Sequence, residues 1–351
     1  SRAICYRMAL SEMVVPYFSA RGSHYRKNAF DVGEYGLGNL VNPLQLGCDC
    51  LGEIYYFTTF NTSASGNVVE QKNSICMHEE DDGVLFKHTD WRLEQKGHAD
   101  AVTIARSTKL VVSMICTVGN YEYAIYYNFY QDGNIKPEIK ATGLLNTSAI
   151  KPNEKPICGQ LLGKGLEAQH HQHAFSFRFD MCVDGPNNSV VEIDSIPIND
   201  KAHNPYGNAI EVKHSKFKRE HDAQRCVNFE RARFWAIVNE QRKNSLGDPT
   251  AYALFPGPTA WCYLQDHSHV LKRARFLSKH LWVTKFQQGE LFAAGAFPNQ
   301  SNGQHHTGLG GDYTKNNRSI ENTDIVVWHT EIMHHVVRPE DFPLMPVARV
   351  E

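Results

Sequence analysis

The residues best suited to chemistry are histidines that alternate within one segment, His170-His-Gln-His-Ala-Phe-Ser-Phe-Arg-Phe-Asp180. Successive side chains of a β-strand point to opposite faces, so His171, His173 and three phenylalanines would share one face. The phenylalanines predict that this face belongs to a core, where two imidazoles would need a ligand to satisfy their nitrogens. A His-x-His pair on a strand is typical of a copper or zinc site.

A third ligand must come from another strand. Residues 330–343 contain two adjacent histidines, His334 and His335, and the residue types alone leave the choice between them open. The competing interpretation is a surface His-x-His pattern that binds no metal. The opposite face of the same strand carries Asp180, which is either a solvated partner of Arg178 or an oxygen ligand for a hard cation.

Runs of β-branched and aromatic residues indicate that strands position these side chains. Helical periodicity is scarce, and residues 222–239 are the best candidate for a helix. Residues 297–319, rich in Gly, Asn and His, are predicted to form an exposed loop. Many strands with few helices predict an all-β sandwich. Strands are predicted over residues 52–60, 109–116, 123–130, 135–145, 171–183, 189–193, 324–329 and 335–338.

The composition is that of an ordinary globular protein. The chain has 351 residues, of which 42% are hydrophobic and 21% charged, and its net charge is −2. That charge argues against electrostatic binding of nucleic acid or of a membrane surface. No apolar run reaches the length of a membrane span. Nine cysteines, thinly spread, predict one or two disulfide bridges rather than a disulfide scaffold.

A tyrosine motif gives the first specific resemblance. The segment Thr117-Val-Gly-Asn-Tyr-Glu-Tyr123 follows an apolar strand. It resembles the T-x-x-N-Y-[DE]-Y motif of copper amine oxidases, in which the tyrosine after the asparagine is oxidised to topaquinone. The resemblance implies that Tyr121 is the precursor of that cofactor, that Cu(II) is the metal, and that Asn120 hydrogen-bonds the mature ring.

Further motifs of the same family follow in the same order. The segment His170-His-Gln-His173 resembles the family's copper-binding Asn-His-Gln-His, with His at the Asn position. The resemblance therefore implies that His171 and His173 are copper ligands. The family's third ligand lies in T-x-[GS]-x-x-H, which corresponds to His335, although Ile332 departs from the Gly or Ser of that pattern.

Two segments near the N-terminus also resemble the family. Residues 11–17 read Ser-Glu-Met-Val-Val-Pro-Tyr, and residues 25–38 contain Phe-Asp-Val-Gly-Glu-Tyr. By position, Tyr17 is implied to hydrogen-bond an oxygen of the quinone, and Asp31 is implied to be the catalytic base. Without the resemblance, Asp31 would be interpreted as a surface residue of a glycine-rich turn.

The resemblance has three further structural implications. Cys50 and Cys76 correspond to the two ends of a family disulfide. A second, calcium-like site would use the carboxylates of Asp180 and Asp324 and the carbonyls of Met181 and Ile325. The family's large antiparallel sandwich, with long hairpin arms and few short helices, is expected as a single catalytic domain over residues 1–351. The family's two smaller N-terminal domains and its last C-terminal strands are then expected to lie outside this sequence.

The implied activity is oxidation of small primary amines to aldehydes by O2, with release of H2O2 and NH3. The expected partners are the amine, O2 and a second copy of the chain, with neither nucleic acid nor a membrane. Similarity to fungal and yeast members favours a peroxisomal or cytosolic location, with secretion as the alternative. Two competing functions are a copper-binding sandwich that no longer forms the quinone and a three-histidine zinc hydrolase.

Overall fold

Antiparallel β-strands form most of the regular structure in a computed structural model that describes residues 3–21, 24, 27–98 and 101–351. The strands in these residues are β1 Cys5–Pro16, β2 Asn28–Phe30, β3 Tyr55–Thr62, β4 Val68–Thr89, β5 Val102–Val118, β6 Tyr121–Tyr130, β7 Ile135–Gly143, β8 Thr147–Ala149, β9 Gly159–Gly163, β10 Leu166–Gln169, β11 His171–Met181, β12 Ser189–Pro197, β13 Ile210–Lys216, β14 Phe234–Lys243, β15 Pro249–Leu254, β16 Leu281–Lys285, β17 Ile325–His335 and β18 Met345–Val350. The two α-helices within the described residues are short, α1 Trp91–Glu94 and α2 His269–Arg273. The all-β prediction is therefore confirmed.

The strands divide between two units. The first unit comprises residues 1–35 and 147–337, and the second comprises residues 36–146 and 338–351. The prediction of one domain over residues 1–351 stays a prediction. Among the described residues, no helix has the length and apolar character needed to cross a membrane.

The first unit is built on two larger sheets. One has the strand order β16-β17-β11-β1-β2, and the other has the order β13-β12-β14-β15. Their facing side chains form a shared core in which Trp235 of β14 and Val190 of β12 meet Val327 of β17. Face-to-face packing of two antiparallel sheets around such a core is a β-sandwich. A smaller sheet, β8-β10-β9, completes this unit.

Strand β11 is the central strand of the five-stranded sheet and pairs with β1 on one side and β17 on the other. Both of its faces are buried, because a second apolar cluster that includes Ala174, Phe276 and Trp328 covers the face opposite the shared core. The expectation of a solvated Asp180 is therefore wrong. Arg178 is only 2% exposed, and it forms a buried ion pair with Asp180.

The second unit is one antiparallel sheet with the strand order β18-β7-β6-β5-β4-β3. Strands β4 and β5, of 22 and 17 residues, form a long hairpin. The acidic residues 79–82 lie within β4 rather than in a loop. Residues 79–81 pair with Leu110, Lys109 and Thr108 of β5, and the pairing resumes at Val84 after a register shift, so the strand continues through the charges.

Three local predictions differ from the structure. Residues 222–239 contain no α-helix, since Phe229–Arg231 forms a 3-10 turn and β14 begins at Phe234. Strand β14 is rich in aromatic and β-branched residues and pairs with β12 on one side and β15 on the other. This pairing overrides the weak helical periodicity of the segment. The strands predicted over 324–329 and 335–338 are one strand, β17. Residues 297–319 lack strands as predicted, but Leu309 and Tyr313 within them are buried.

Candidate metal centre

Three histidines meet at the end of the paired strands β11 and β17 in the first unit. His171 and His173 share one face of β11, and His335 lies directly opposite His171 in the register of β17. The Nε2 atom of His171 is 3.3 Å from Nδ1 of His335. One nitrogen from each of the three rings lies within 4.8 Å of the other two. A single ion could therefore bind all three imidazoles.

Hydrogen bonding fixes the tautomer of His171. Its Nδ1 lies 2.9 Å from the carbonyl oxygen of Gln169, so Nδ1 is the donor. The neutral ring then presents Nε2 as a lone pair, the arrangement that orients metal-binding histidines in proteins. Gln169 could not be recognised from its residue type, because its contribution comes from a backbone carbonyl.

Burial keeps two of these imidazoles, those of His171 and His173, uncharged. It lowers the pKa of His171 to about 3, and the nearby His335 acts in the same direction. Burial also lowers the pKa of His173 well below its ordinary value. Metal ligation requires neutral imidazole, and three such nitrogens suit copper or zinc. The residues present therefore fit the metal that the sequence predicts, while the donor set does not by itself distinguish copper from zinc.

His334 lies on the opposite face of β17. It pairs with Gln172 in the register and is exposed, with its ring near those of Phe18 and Tyr263. Gln172 also faces this side, where it donates to the Trp261 carbonyl and accepts from the Tyr263 backbone N–H. A shift of one residue in the register would exchange His334 and His335.

Tyr17 follows the end of β1 and contacts the histidine group. Its backbone bridges to His171, and the two rings lie 5.0 Å apart between centroids. The ammonium group of Lys27 lies 4.9 Å from the Tyr17 ring centroid, and it donates to Gln169 at 2.6 Å and Ser148 at 2.9 Å. Lys27 was not among the residues predicted from the sequence, and its side chain connects Tyr17 with the strand that precedes His171.

Asp31 is the first residue after β2, in a turn of the same unit. Its side chain is 1% exposed, and its backbone N–H donates to the Met13 carbonyl at 2.8 Å. The prediction of a surface aspartate, made without the resemblance, is therefore wrong. Packing of Phe30, which is fully buried, brings the following residue into the interior.

Tyr121 and Asn120 lie in the second unit. Tyr121 is the first residue of β6 and is 5% exposed, whereas Asn120 is exposed in the turn before it. Gly143, with φ +99°, pairs with Tyr121, and a side chain there would lie 2.5 Å from the Asn120 carbonyl. This glycine allows β7 to pass close to the tyrosine turn.

The remaining predicted residues are those of the calcium-like site and of the disulfide. The acidic group of Asp324 has a raised pKa, because it is partly buried and lies near the charge of Asp180. Asp180 uses one of its carboxylate oxygens in the ion pair with Arg178, and a calcium ion would need that oxygen as a ligand. Cys50 and Cys76 are buried thiols in one apolar cluster, within hydrogen-bonding reach of each other. The calcium site and the disulfide stay predictions.

Comparisons with known proteins agree with one another. The model of a family described as "Copper amine oxidase, enzyme domain" matches residues 1–351. A primary amine oxidase of Arthrobacter sp. (strain P1) is 46% identical over 346 residues, which cover 98% of this chain and 52% of the relative. A peroxisomal primary amine oxidase of Pichia angusta is 39% identical over 357 residues, covering 99% of this chain and 51% of the relative.

A solved structure gives the same result. The crystal structure of a copper-containing benzylamine oxidase from Hansenula polymorpha matches with a TM-score of 0.92 at 37% identity. The match covers 99% of this chain and 54% of that one. The chain thus spans about half the length of the relatives and of the solved structure that it matches.

Proposed function

Because the chain belongs to the copper amine oxidase family, we propose that it oxidises primary amines to aldehydes with dioxygen and water, releasing ammonia and hydrogen peroxide. The observation that carries the proposal is the group of three buried or half-buried histidines on β11 and β17. A family match identifies ancestry, whereas this group supplies a donor set that the proposed chemistry needs.

In this proposal His171, His173 and His335 hold copper. The first two are neutral at physiological pH because they are buried, so no proton has to leave before the metal binds. The Gln169 carbonyl holds the His171 ring in the orientation that directs Nε2 toward His335. The resemblance favours copper over zinc, since a zinc hydrolase has no use for the Tyr121 motif.

Tyr121 is proposed as the precursor of topaquinone. Copper and topaquinone would together supply the electron acceptor for the amine and the route of electrons to dioxygen. Asp31 would accept the proton from the carbon next to the amine nitrogen. Tyr17 would donate a hydrogen bond to a cofactor oxygen, and Asn120 would contact the cofactor ring.

The test uses the chain loaded with Cu(II) in air. We expect a visible absorbance band, a positive quinone stain and H2O2 release with benzylamine as the probe amine. Tyr121→Phe should retain copper and lose the colour and all H2O2 release. Tyr126→Phe is the matched control, because Tyr126 lies on the same strand and outside the motif position, and it should retain both signals.

A folded, copper-loaded chain that stays colourless would favour the alternative, a copper-binding sandwich that forms no quinone. Colour and turnover with zinc in place of copper would contradict the assignment of the metal. Both outcomes are read against copper content measured on the same sample.

The other family features are proposals of the same kind. We propose a homodimer, since the β3–β5 region of the second unit carries exposed Tyr55, Phe60 and Phe86. We also propose a disulfide between Cys50 and Cys76, and occupancy of the Asp180 and Asp324 site by calcium. The location is proposed as peroxisomal or cytosolic, with the name of the Pichia angusta relative supporting the former.

A further inference from the structure

A buried acid that the proposed mechanism does not use lies next to the Asp31 turn. Glu12 occupies the middle of β1 and has 0% exposure, between the buried residues Ser11 and Met13. Burying a carboxyl group is unfavourable unless its oxygens are hydrogen-bonded. Its partners therefore indicate why an acid is present at this buried position of the strand.

One oxygen of Glu12 holds the Asp31 turn. Its Oε1 accepts from the backbone N–H groups of Val32 at 3.1 Å and Gly33 at 3.2 Å, as well as from Met13 at 2.9 Å. The N–H of Asp31 donates to the Met13 carbonyl at 2.8 Å. Three consecutive N–H groups, those of residues 31 to 33, are thus bound by two adjacent residues of β1.

The other side of the turn is also fixed. A Cβ atom at Gly33 would lie 2.2 Å from Cγ of Pro298, so this glycine packs directly on the proline ring. Arg273 donates to the Pro298 carbonyl at 2.6 Å and forms an ion pair with Glu34, while its guanidinium lies 4.3 Å from the Phe30 ring centroid. The turn is held between β1 and the Arg273–Pro298 pair, with little freedom to shift.

We propose that Glu12 is a positioning residue for Asp31, acting through the backbone of residues 32 and 33. The inference rests on the proposed function, in which Asp31 accepts a proton from the substrate carbon. Glu12 contacts neither substrate nor cofactor in this role. Proton transfer depends steeply on geometry, and a displacement of about 1 Å in a reacting group can cost about 10²-fold in rate.

The protonation state of Glu12 agrees with this role. Burial raises the pKa of Glu12 to about 7, and the charge of Glu34 acts in the same direction. An uncharged carboxyl group still accepts through Oε1, so the role needs an oxygen at this place rather than a negative charge. Glutamine provides that oxygen with the same length and shape.

The kinetic test compares Glu12→Ala with Glu12→Gln in the copper-loaded chain. With benzylamine and its α,α-dideuterated form as probes, we expect Glu12→Ala to lower kcat/KM by up to about 10²-fold and to raise the deuterium isotope effect. Both follow because proton transfer becomes slower relative to the other steps. Glu12→Gln should keep kcat/KM and the isotope effect close to those of the parent. A merely smaller folded fraction would lower kcat without changing the isotope effect.

Amide hydrogen exchange gives a measurement that does not depend on turnover. Exchange at residues 31–33 should be faster in Glu12→Ala and like the parent in Glu12→Gln. Ser11→Ala is the matched control, since Ser11 bonds the Ser176 carbonyl and does not touch the turn. If Glu12→Ala fails to fold, Glu12→Asp, which is one methylene shorter, is compared in its place.

The outcomes separate the two proposals. An inactive, colourless parent would reject the proposed function, while exchange would still report whether Glu12 holds the turn. An active parent with unchanged exchange and an unchanged isotope effect in Glu12→Ala would overturn the positioning role. So would a Glu12→Gln variant as impaired as Glu12→Ala, because the acceptor oxygen would then not be the feature that matters.

Discussion

At the scale of single residues, strand register decides which side chains can act together. His334 and His335 are adjacent in sequence and chemically identical, yet only His335 faces His171 across the β11–β17 pair. His334 is exposed and contacts Phe18 and Tyr263 on the other face. Alternation within β11 was sufficient to pair His171 with His173 from the sequence. It was not sufficient to choose between two neighbours on an unseen partner strand, and the family motif supplied that choice.

Copper content distinguishes these two histidines. His335→Ala should weaken copper binding by more than the roughly 10–100-fold that loss of an outer partner costs, because it removes a ligand. His334→Ala should leave copper binding close to that of the parent. The measurement is copper per chain after dialysis against a weak chelator. Loss of copper from His334→Ala with retention in His335→Ala would show that the register of β17 is shifted by one residue.

At the scale of elements, the β1–β2 pair and the turn after it combine local and distant constraints. The register of Val14 with Phe30 sets where β2 ends, and Pro298 limits what the turn can contain. The family motif identifies Asp31 but does not indicate that Glu12 and Pro298 are its neighbours. Their contacts join residues far apart in the chain, so no local pattern encodes them. The same reason explains residues 222–239, where pairing of β14 with two strands overrides local periodicity.

Gly33 tests how tightly this turn is packed. Gly33→Ala should destabilise the chain by about 1–3 kcal/mol, since the added methyl would overlap Pro298 and the Glu12 carboxyl. Gly163→Ala is the control in the same unit, because a Cβ atom at Gly163 meets nothing within 4 Å. Urea unfolding of both variants gives the comparison. Equal midpoints for the two variants would show that the Asp31 turn has room to move.

At the scale of the whole chain, alternation of apolar and polar residues was enough to predict an all-β protein with antiparallel sheets. It could not predict which distant strands pair, because β1 and β11 lie about 165 residues apart, as in the Ser11–Ser176 contact, and only tertiary packing joins them. Nor could it predict that residues 1–35 pack with residues 147–337 rather than with the segment that follows them. Four of the five tryptophans lie in this first unit, so intrinsic fluorescence mainly follows its unfolding.

Glu12 should give the first unit a distinctive dependence of stability on pH. Its pKa is raised from 4.5 to about 7 in the folded chain, so between these values the folded state holds a proton that the unfolded state has released. The free energy of unfolding should therefore fall as pH rises through this range, by about 3 kcal/mol in total at 1.36 kcal/mol for each pKa unit. Glu12→Gln, which cannot ionise, should lack this part of the fall. Fluorescence-detected urea unfolding between pH 4.5 and pH 8 measures the difference. If the free energy of unfolding depended on pH in the same way in the parent and in Glu12→Gln, Glu12 would titrate alike in the folded and unfolded chain. That result would contradict the pKa shift expected from its complete burial.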